Sequence, residues 1–89
     1  MIKAVWDQGF KRSYKKRVKN YPILKKKFWQ KMELFLSDPF AVQLKTHKLG
    51  GKLFGLWSFS VGEDCRVIFE FIDDGSVLLI EVGKHDEVY

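Results

Sequence analysis

Proton transfer near neutral pH is the chemistry to which histidine side chains are best suited, and the chain has two histidines, His47 and His85. The first precedes a group of predicted strands, and the second follows it. Either residue could act as an acid or a base. Two histidines outside any motif are, however, also typical of surface loops, and residue type alone favours that second interpretation.

Two further residues could contribute charge to a site. Arg66 stands in an apolar stretch of a predicted strand, where burying an unpaired guanidinium is costly. We therefore expect Arg66 either to pair with a carboxylate, Glu70 or Glu81, or to face an open surface. Asp64 stands in the preceding turn, where aspartate more often stabilises the turn than performs chemistry.

Several kinds of site are excluded by the remaining sequence. The chain has a single cysteine, Cys65, so an internal disulfide framework and a zinc site with several cysteines are both excluded. We expect Cys65 to be a small core residue. Residues 49–52 contain two glycines but lack the spacing of a phosphate-binding loop. There is no Gly-x-Ser-x-Gly nucleophile motif. A metal site is not favoured either, because neither histidine lies in a motif with metal-ligand spacing and Cys65 has no partner cysteine.

The first half of the chain predicts one strand and two helices. Residues 2–6 are short, apolar and β-branched, as in a strand. From about Gln8, apolar residues recur at helical spacing, and Pro22 separates this helix from a second one that ends near Ser37. The tight connection predicts an antiparallel helical hairpin. The two helical stripes consist of Phe10, Tyr14, Val18 and Tyr21, and of Leu24, Phe28, Met32 and Phe35.

The second half predicts a meander of three strands over residues 53–61, 65–72 and 77–82, with an Asp-Gly turn signal before the last strand. The order is β-α-α-β-β-β. We therefore predict one α+β domain over residues 1–89, with a helical hairpin packed on one face of a small, mainly antiparallel, twisted sheet. Such a sheet can leave its other face open to a ligand.

Charge is distributed unevenly along the 89 residues, whose formal net charge is +5. Residues 1–31 hold 11 basic residues and one acid, whereas residues 32–89 hold 5 basic and 10 acidic residues. This asymmetry indicates a polyanionic or strongly acidic partner, or alternatively a solvated lysine-rich helix face. No apolar run approaches the length of a membrane span and the start does not read as a signal peptide, so we expect a cytoplasmic protein without membrane contact.

The ordered motifs of the second half resemble a known family. The stretch THKLGGKLFGLWSFSVGEDCRVIFEF, followed by GSVLLIEVGKHDEVY, resembles the RelE/YafQ-type toxins of bacterial type II toxin–antitoxin modules. This resemblance covers nearly the whole chain. It implies a ribosome-dependent mRNA endoribonuclease in which the ribose 2′-hydroxyl attacks the adjacent phosphate, with no metal and no cofactor. It also implies an antitoxin, the ribosome and mRNA as partners, and a toxin–antitoxin hetero-oligomer.

The resemblance assigns roles residue by residue. His47 would be a base or a phosphate ligand, Asp64 would orient a histidine or accept a proton, and Arg66 would stabilise the phosphorane. His85 would be the general acid, and Tyr89 would stack on or orient the scissile nucleotide. Basic residues expected to contact RNA are Lys11, Arg12, Lys15, Lys16, Lys25, Lys26, Lys48, Lys52 and Lys84.

The sequence also departs from the family pattern. Ser58 and Ser60 occupy the stretch where RelE-type members have lysines and YafQ-type members have a histidine, and serine replaces neither a cation nor a proton donor near pH 7. Three alternatives therefore stay open. They are a ParE-like toxin that binds DNA gyrase, a simple nucleic-acid-binding module, and a silent protein that only binds an antitoxin.

Overall fold

The computed structural model describes residues 1–84, so the predicted general acid His85 and the predicted stacking residue Tyr89 lie outside the described residues. The helices are α1 (Gln8–Arg17) and α2 (Pro22–Ser37), and the strands are β1 (Lys3–Trp6), β2 (His47–Lys48), β3 (Trp57–Ser60), β4 (Cys65–Asp73) and β5 (Ser76–Lys84). Short 3-10 turns occupy Val42–Leu44 and Gly51–Leu53.

The strands form one sheet in the order β1-β5-β4-β3-β2. β1 runs parallel to β5, with Lys3 opposite Ser76, and every other pair is antiparallel. The helical hairpin therefore lies in the crossover between β1 and the antiparallel strands. This arrangement confirms the predicted α+β fold.

The helix boundaries follow from local chemistry. The Asp7 carboxylate accepts a hydrogen bond from the Gly9 N–H at 2.9 Å and caps α1. Basic residues fill the last turn of α1, where they interact favourably with the negative end of the helix dipole. Pro22 occupies the first turn of α2, as its missing N–H allows. The first helix is shorter than predicted, because it ends at Arg17 and residues 18–21 form the connection.

The predicted strand over residues 53–61 is wrong in its first part. The 3-10 turn Gly51–Leu53 includes its first residue, and Gly55 has a φ of 93°, which interrupts an extended chain, so the strand begins only at Trp57. The structure adds a two-residue edge strand, β2, which pairs His47 with Ser58. That strand is too short to produce an alternating pattern in the sequence.

The core lies on the side of the sheet that faces the helices. Phe10, Phe28 and Phe35 are fully buried there against inward-facing strand residues. The Phe35 ring stacks on Phe59 at 4.4 Å and meets the edge of Phe69 at 4.8 Å. Neither helix in residues 1–84 is long and apolar enough to cross a membrane.

Candidate active site on the polar sheet face

The sheet surface turned away from the helices carries most of the charged and hydroxyl groups of the antiparallel strands, and we call it the polar face. Strand register arranges these residues in two neighbouring rows, because directly opposite residues point to the same side. One row is His47, Ser58, Ile68 and Glu81, and the other is Ser60, Arg66 and Gly83.

Ile68 shows that this face is distinct from the core. It is only 3% exposed, yet it is not part of the main hydrophobic cluster that contains its neighbours Val67 and Phe69. Ser58 is buried beside it, whereas Arg66 and Glu81 are partly exposed and His47 is exposed. The polar face therefore has a buried floor with charged groups around it.

Arg66 brings a cation to this floor. Its Nε and Nη1 atoms are buried and have no hydrogen-bond partner among residues 1–84. Within residues 1–84, Arg66 forms no ion pair with Glu70 or Glu81, although the sequence allowed one. Leaving a buried donor unpaired costs about 1–3 kcal/mol, so these two atoms do not stabilise the fold, and chemically they could donate hydrogen bonds to an anion.

The two serines on this face are not suited to act as cations or acids. The Ser60 hydroxyl donates a hydrogen bond to the Gly62 carbonyl at 2.8 Å, which holds the start of the β3–β4 turn. Ser58 is fully buried. Neither hydroxyl offers a positive charge or a proton donor that titrates near neutral pH.

His47 lies at the edge of the sheet in a defined orientation. Its Nδ1 is 2.9 Å from the carbonyl oxygen of Lys45. Since a carbonyl only accepts, Nδ1 carries the proton in this contact, and Nε2 is the nitrogen that can take up another proton. Lys45 itself has a left-handed backbone conformation, with φ of 51°, which is uncommon for residues other than glycine.

Asp64 is not brought together with His47. It is exposed in the turn before β4 and lines a pocket of about 710 Å³ between that turn and the helical hairpin. Lys84 lies on the same pocket, at the end of β5. Within residues 1–84, the pocket is also lined by Lys16, Arg17, Tyr21, Leu24, Lys27, Gly62, Glu63, Cys65 and Gly83.

Cys65 does not provide a nucleophile. It is buried, and burial raises the pKa of its thiol to about 11, an effect that the positive charge of Arg17 only partly opposes. The reactive form of cysteine is the thiolate, which is scarce at neutral pH for such a group. This agrees with the interpretation of Cys65 as a core residue.

The nine basic residues predicted to contact RNA are all exposed. Six of them lie on the two helices, behind the sheet as seen from the polar face, and their positions therefore define a second surface. Lys48 lies over the Trp57 ring with Nζ 5.5 Å from its centroid. Residues 1–84 contain no group of three or more His, Cys, Asp and Glu residues that could hold a metal ion.

Sequence reasoning named Glu81 only as a possible ion-pair partner of Arg66 and did not predict it as a residue of the site. Val77 and Leu79 both face the core, so strict alternation would place Glu81 in the core as well. The register shifts between Ile68 and Phe69, because Ile80 is inserted as an extra residue of β5. After this bulge Val82 faces the core, and Glu81 lies on the polar face opposite Ile68. A bulge has no dependable sequence signal, although a carboxylate in an otherwise apolar strand was a clue.

Solved structures of several toxins have the same fold. A metal-bound toxin from Helicobacter pylori is 22% identical, with a TM-score of 0.78 over 100% of both chains. A YoeB/ParE toxin from Agrobacterium tumefaciens is 21% identical, with a TM-score of 0.77 over 94% of this chain and 99% of its own.

The toxin in the DinJ–YafQ complex from E. coli is 18% identical, with a TM-score of 0.73 over 100% of this chain and 99% of its own. No protein-family model matches the chain, and no curated protein sequence matches it significantly. At these identities the likeness establishes the fold, which is the one that the sequence motifs predicted.

Proposed function

We propose that the chain is a RelE/YafQ-type toxin of a type II toxin–antitoxin module and that it cleaves mRNA on the ribosome. The observation that carries this proposal is the Arg66 guanidinium, whose Nε and Nη1 atoms are buried and unpartnered on the polar face. A phosphodiester is the anion that such a group would hold in a ribonuclease, since guanidinium donors match phosphate oxygens in geometry and charge.

The reaction needs few groups from the protein. The substrate supplies its own nucleophile, the 2′-hydroxyl, and the phosphorus passes through a state with additional negative charge. Arg66 would stabilise that charge, and fixed donors in a partly buried site are effective because they need no reorganisation. His47, with Nδ1 held by Lys45, would bind the neighbouring phosphate or exchange a proton through Nε2.

Docking on RNA would involve the second surface. Exposed lysines and Arg12 on α1 and α2 lie away from the polar face, so they would contact ribosomal RNA phosphates while mRNA occupies the sheet. Such contacts add affinity without reading sequence and weaken as salt increases. The same concentration of positive charge would suit an acidic antitoxin, and the structural relative YafQ has been solved in complex with DinJ.

The proposal is tested by inducing the protein in cells and mapping mRNA ends by primer extension. Wild type should arrest growth and produce new 5′ ends inside translated messages, and Arg66→Gln should produce neither at equal protein level. Plasmid supercoiling measured in the same cells addresses gyrase. Intact mRNA together with altered supercoiling would contradict the proposal and favour ParE-like action.

A further inference from the structure

The β5 bulge places a carboxylate beside the candidate phosphate site. Glu81 follows the extra residue Ile80, and this insertion turns it from the core side to the polar face. Bulges are over-represented near active sites, where they re-aim a side chain. Here the residue re-aimed is the only carboxylate in the two rows that contain His47 and Arg66, as far as residues 1–84 are concerned.

Helix α1 supports this irregular backbone directly. The Val82 N–H donates a hydrogen bond to the Ser13 hydroxyl at 3.0 Å, which gives this backbone donor a side-chain partner from the helix. Gly9 also approaches closely, since a Cβ at that position would lie 3.4 Å from the Ile80 carbonyl oxygen. The bulge is thus packed and hydrogen-bonded from behind, so the direction of Glu81 is fixed by the fold.

Among the strand residues of the polar face within residues 1–84, register decides which proton acceptor is nearest to Arg66. Arg66 pairs with Gly83, so Glu81 is its diagonal neighbour on the adjacent strand, at about 7–8 Å between Cα atoms. His47 lies two strands away on the other side, at about 10 Å across the sheet and one row further along it. Glu81 and His47 are separated by three strand spacings, or about 14 Å, so they cannot serve the same oxygen atom.

We propose that Glu81 is the general base that takes the proton from the 2′-hydroxyl, an inference that rests on the proposed ribonuclease function. The carboxylate accepts that proton while the 2′-oxygen forms a bond to phosphorus held at Arg66. The bond from phosphorus to the 5′-oxygen breaks, and the leaving oxygen takes a proton from water or from a general acid, the role that the sequence motifs predict for His85. The products are a 2′,3′-cyclic phosphate and a 5′-hydroxyl, with no oxidant or metal consumed.

This assignment explains how a site with serines at 58 and 60 can still remove the proton of the 2′-hydroxyl. Those hydroxyls do not remove a proton, and His47 is too far from Glu81 to duplicate its role. Arg66 offsets the repulsion between the Glu81 carboxylate and the substrate phosphate. His47 is then left to act on the phosphate or on a neighbouring nucleotide.

The test uses the purified full chain with ribosomes programmed with a defined mRNA. Under saturating toxin, Glu81→Gln should lower the single-turnover cleavage rate by about 10²–10⁴-fold, the usual contribution of general base catalysis, without changing ribosome binding. Glu81→Asp should recover part of the rate. Glu70→Gln is the matched control, because Glu70 is an exposed carboxylate of β4 in the next row, and it should stay within about twofold of wild type.

A substrate with sulfur in place of the 5′-oxygen separates base from acid. The thiolate leaving group of this substrate needs no proton, so the substrate bypasses the acid but not the base. If Glu81 is the base, Glu81→Gln should therefore lower the cleavage rate of this substrate as much as that of the normal one. Rescue by this substrate, or a Glu81→Gln rate equal to wild type, would overturn the assignment while leaving the ribonuclease function intact. Absence of cleavage by wild type would overturn both proposals. Thermal melts verify that each variant is folded.

Discussion

Replacing Arg66 with methionine should stabilise the protein while removing its activity. Methionine retains the apolar stem, and it eliminates the two buried nitrogen atoms that have no partner. Most substitutions at partly buried positions destabilise a domain. The opposite sign is expected here because methionine removes the cost of burying two nitrogen atoms without hydrogen-bond partners.

The magnitude follows from the two nitrogen atoms. Each unpaired buried donor costs about 1–3 kcal/mol, and Arg66 is partly exposed, which relieves part of that cost. We therefore expect a net gain of about 1–3 kcal/mol. In a domain of this size each kcal/mol corresponds to about 4–8 °C in Tm, so Arg66→Met should melt at least about 4 °C higher.

Urea unfolding followed by circular dichroism measures this gain, with Arg12→Met as the control. Arg12 is exposed on α1, so its variant has the same net charge and should differ from wild type by less than about 0.5 kcal/mol. Inorganic phosphate should stabilise wild type, by about 1.4 kcal/mol at ten times its Kd, but should not stabilise Arg66→Met. A variant that is less stable than wild type, or that responds to phosphate equally, would refute the anion-site interpretation.

Three further predictions concern the surrounding structure. Lys45→Gly should leave stability within about 1 kcal/mol of wild type, whereas Lys45→Val should lose about 1–3 kcal/mol in urea unfolding, because Lys45 has φ of 51°; equal stabilities would contradict this. Burial raises the pKa of the Cys65 thiol from 9.0 to about 11, so the folded state favours the protonated thiol. The stability of the wild-type protein relative to Cys65→Ala should therefore fall as the pH rises from about 9 to 11. A pH-independent difference would argue against that shift. Phe35→Ala should cost about 3–5 kcal/mol, since Phe35 is fully buried between Phe59 and Phe69; a loss below about 1 kcal/mol in urea would be inconsistent with this packing.

The helical hairpin was predictable because its signals are local. Apolar residues spaced three and four apart predicted both helices, and Pro22 predicted the start of the second one. Alternation in β4 correctly separated Arg66 from the core residues Val67 and Phe69. These features depend on residues that are neighbours in the sequence.

The rest depends on contacts between distant segments. The β2 strand exists only because His47 pairs with Ser58, and the bulge at Ile80 depends on support from α1. A single sequence shows neither the left-handed turn at Lys45 nor the missing partner of Arg66, since both follow from the packed structure. The site roles predicted for His47, Asp64 and Arg66 stay predictions, and Asp64 lies in the turn before β4, away from His47 on the edge strand β2.

The most direct test of the ribonuclease proposal is the chemistry of the cut ends. Purified protein is added to ribosomes programmed with mRNA, and the fragments are analysed for their termini, together with the same mRNA carrying one 2′-O-methyl group at the cut site. We expect a 2′,3′-cyclic phosphate and a 5′-hydroxyl from the unmodified message and no cut at the methylated position. Cleavage of the methylated position, or fragments with 5′-phosphates, would contradict attack by the 2′-hydroxyl.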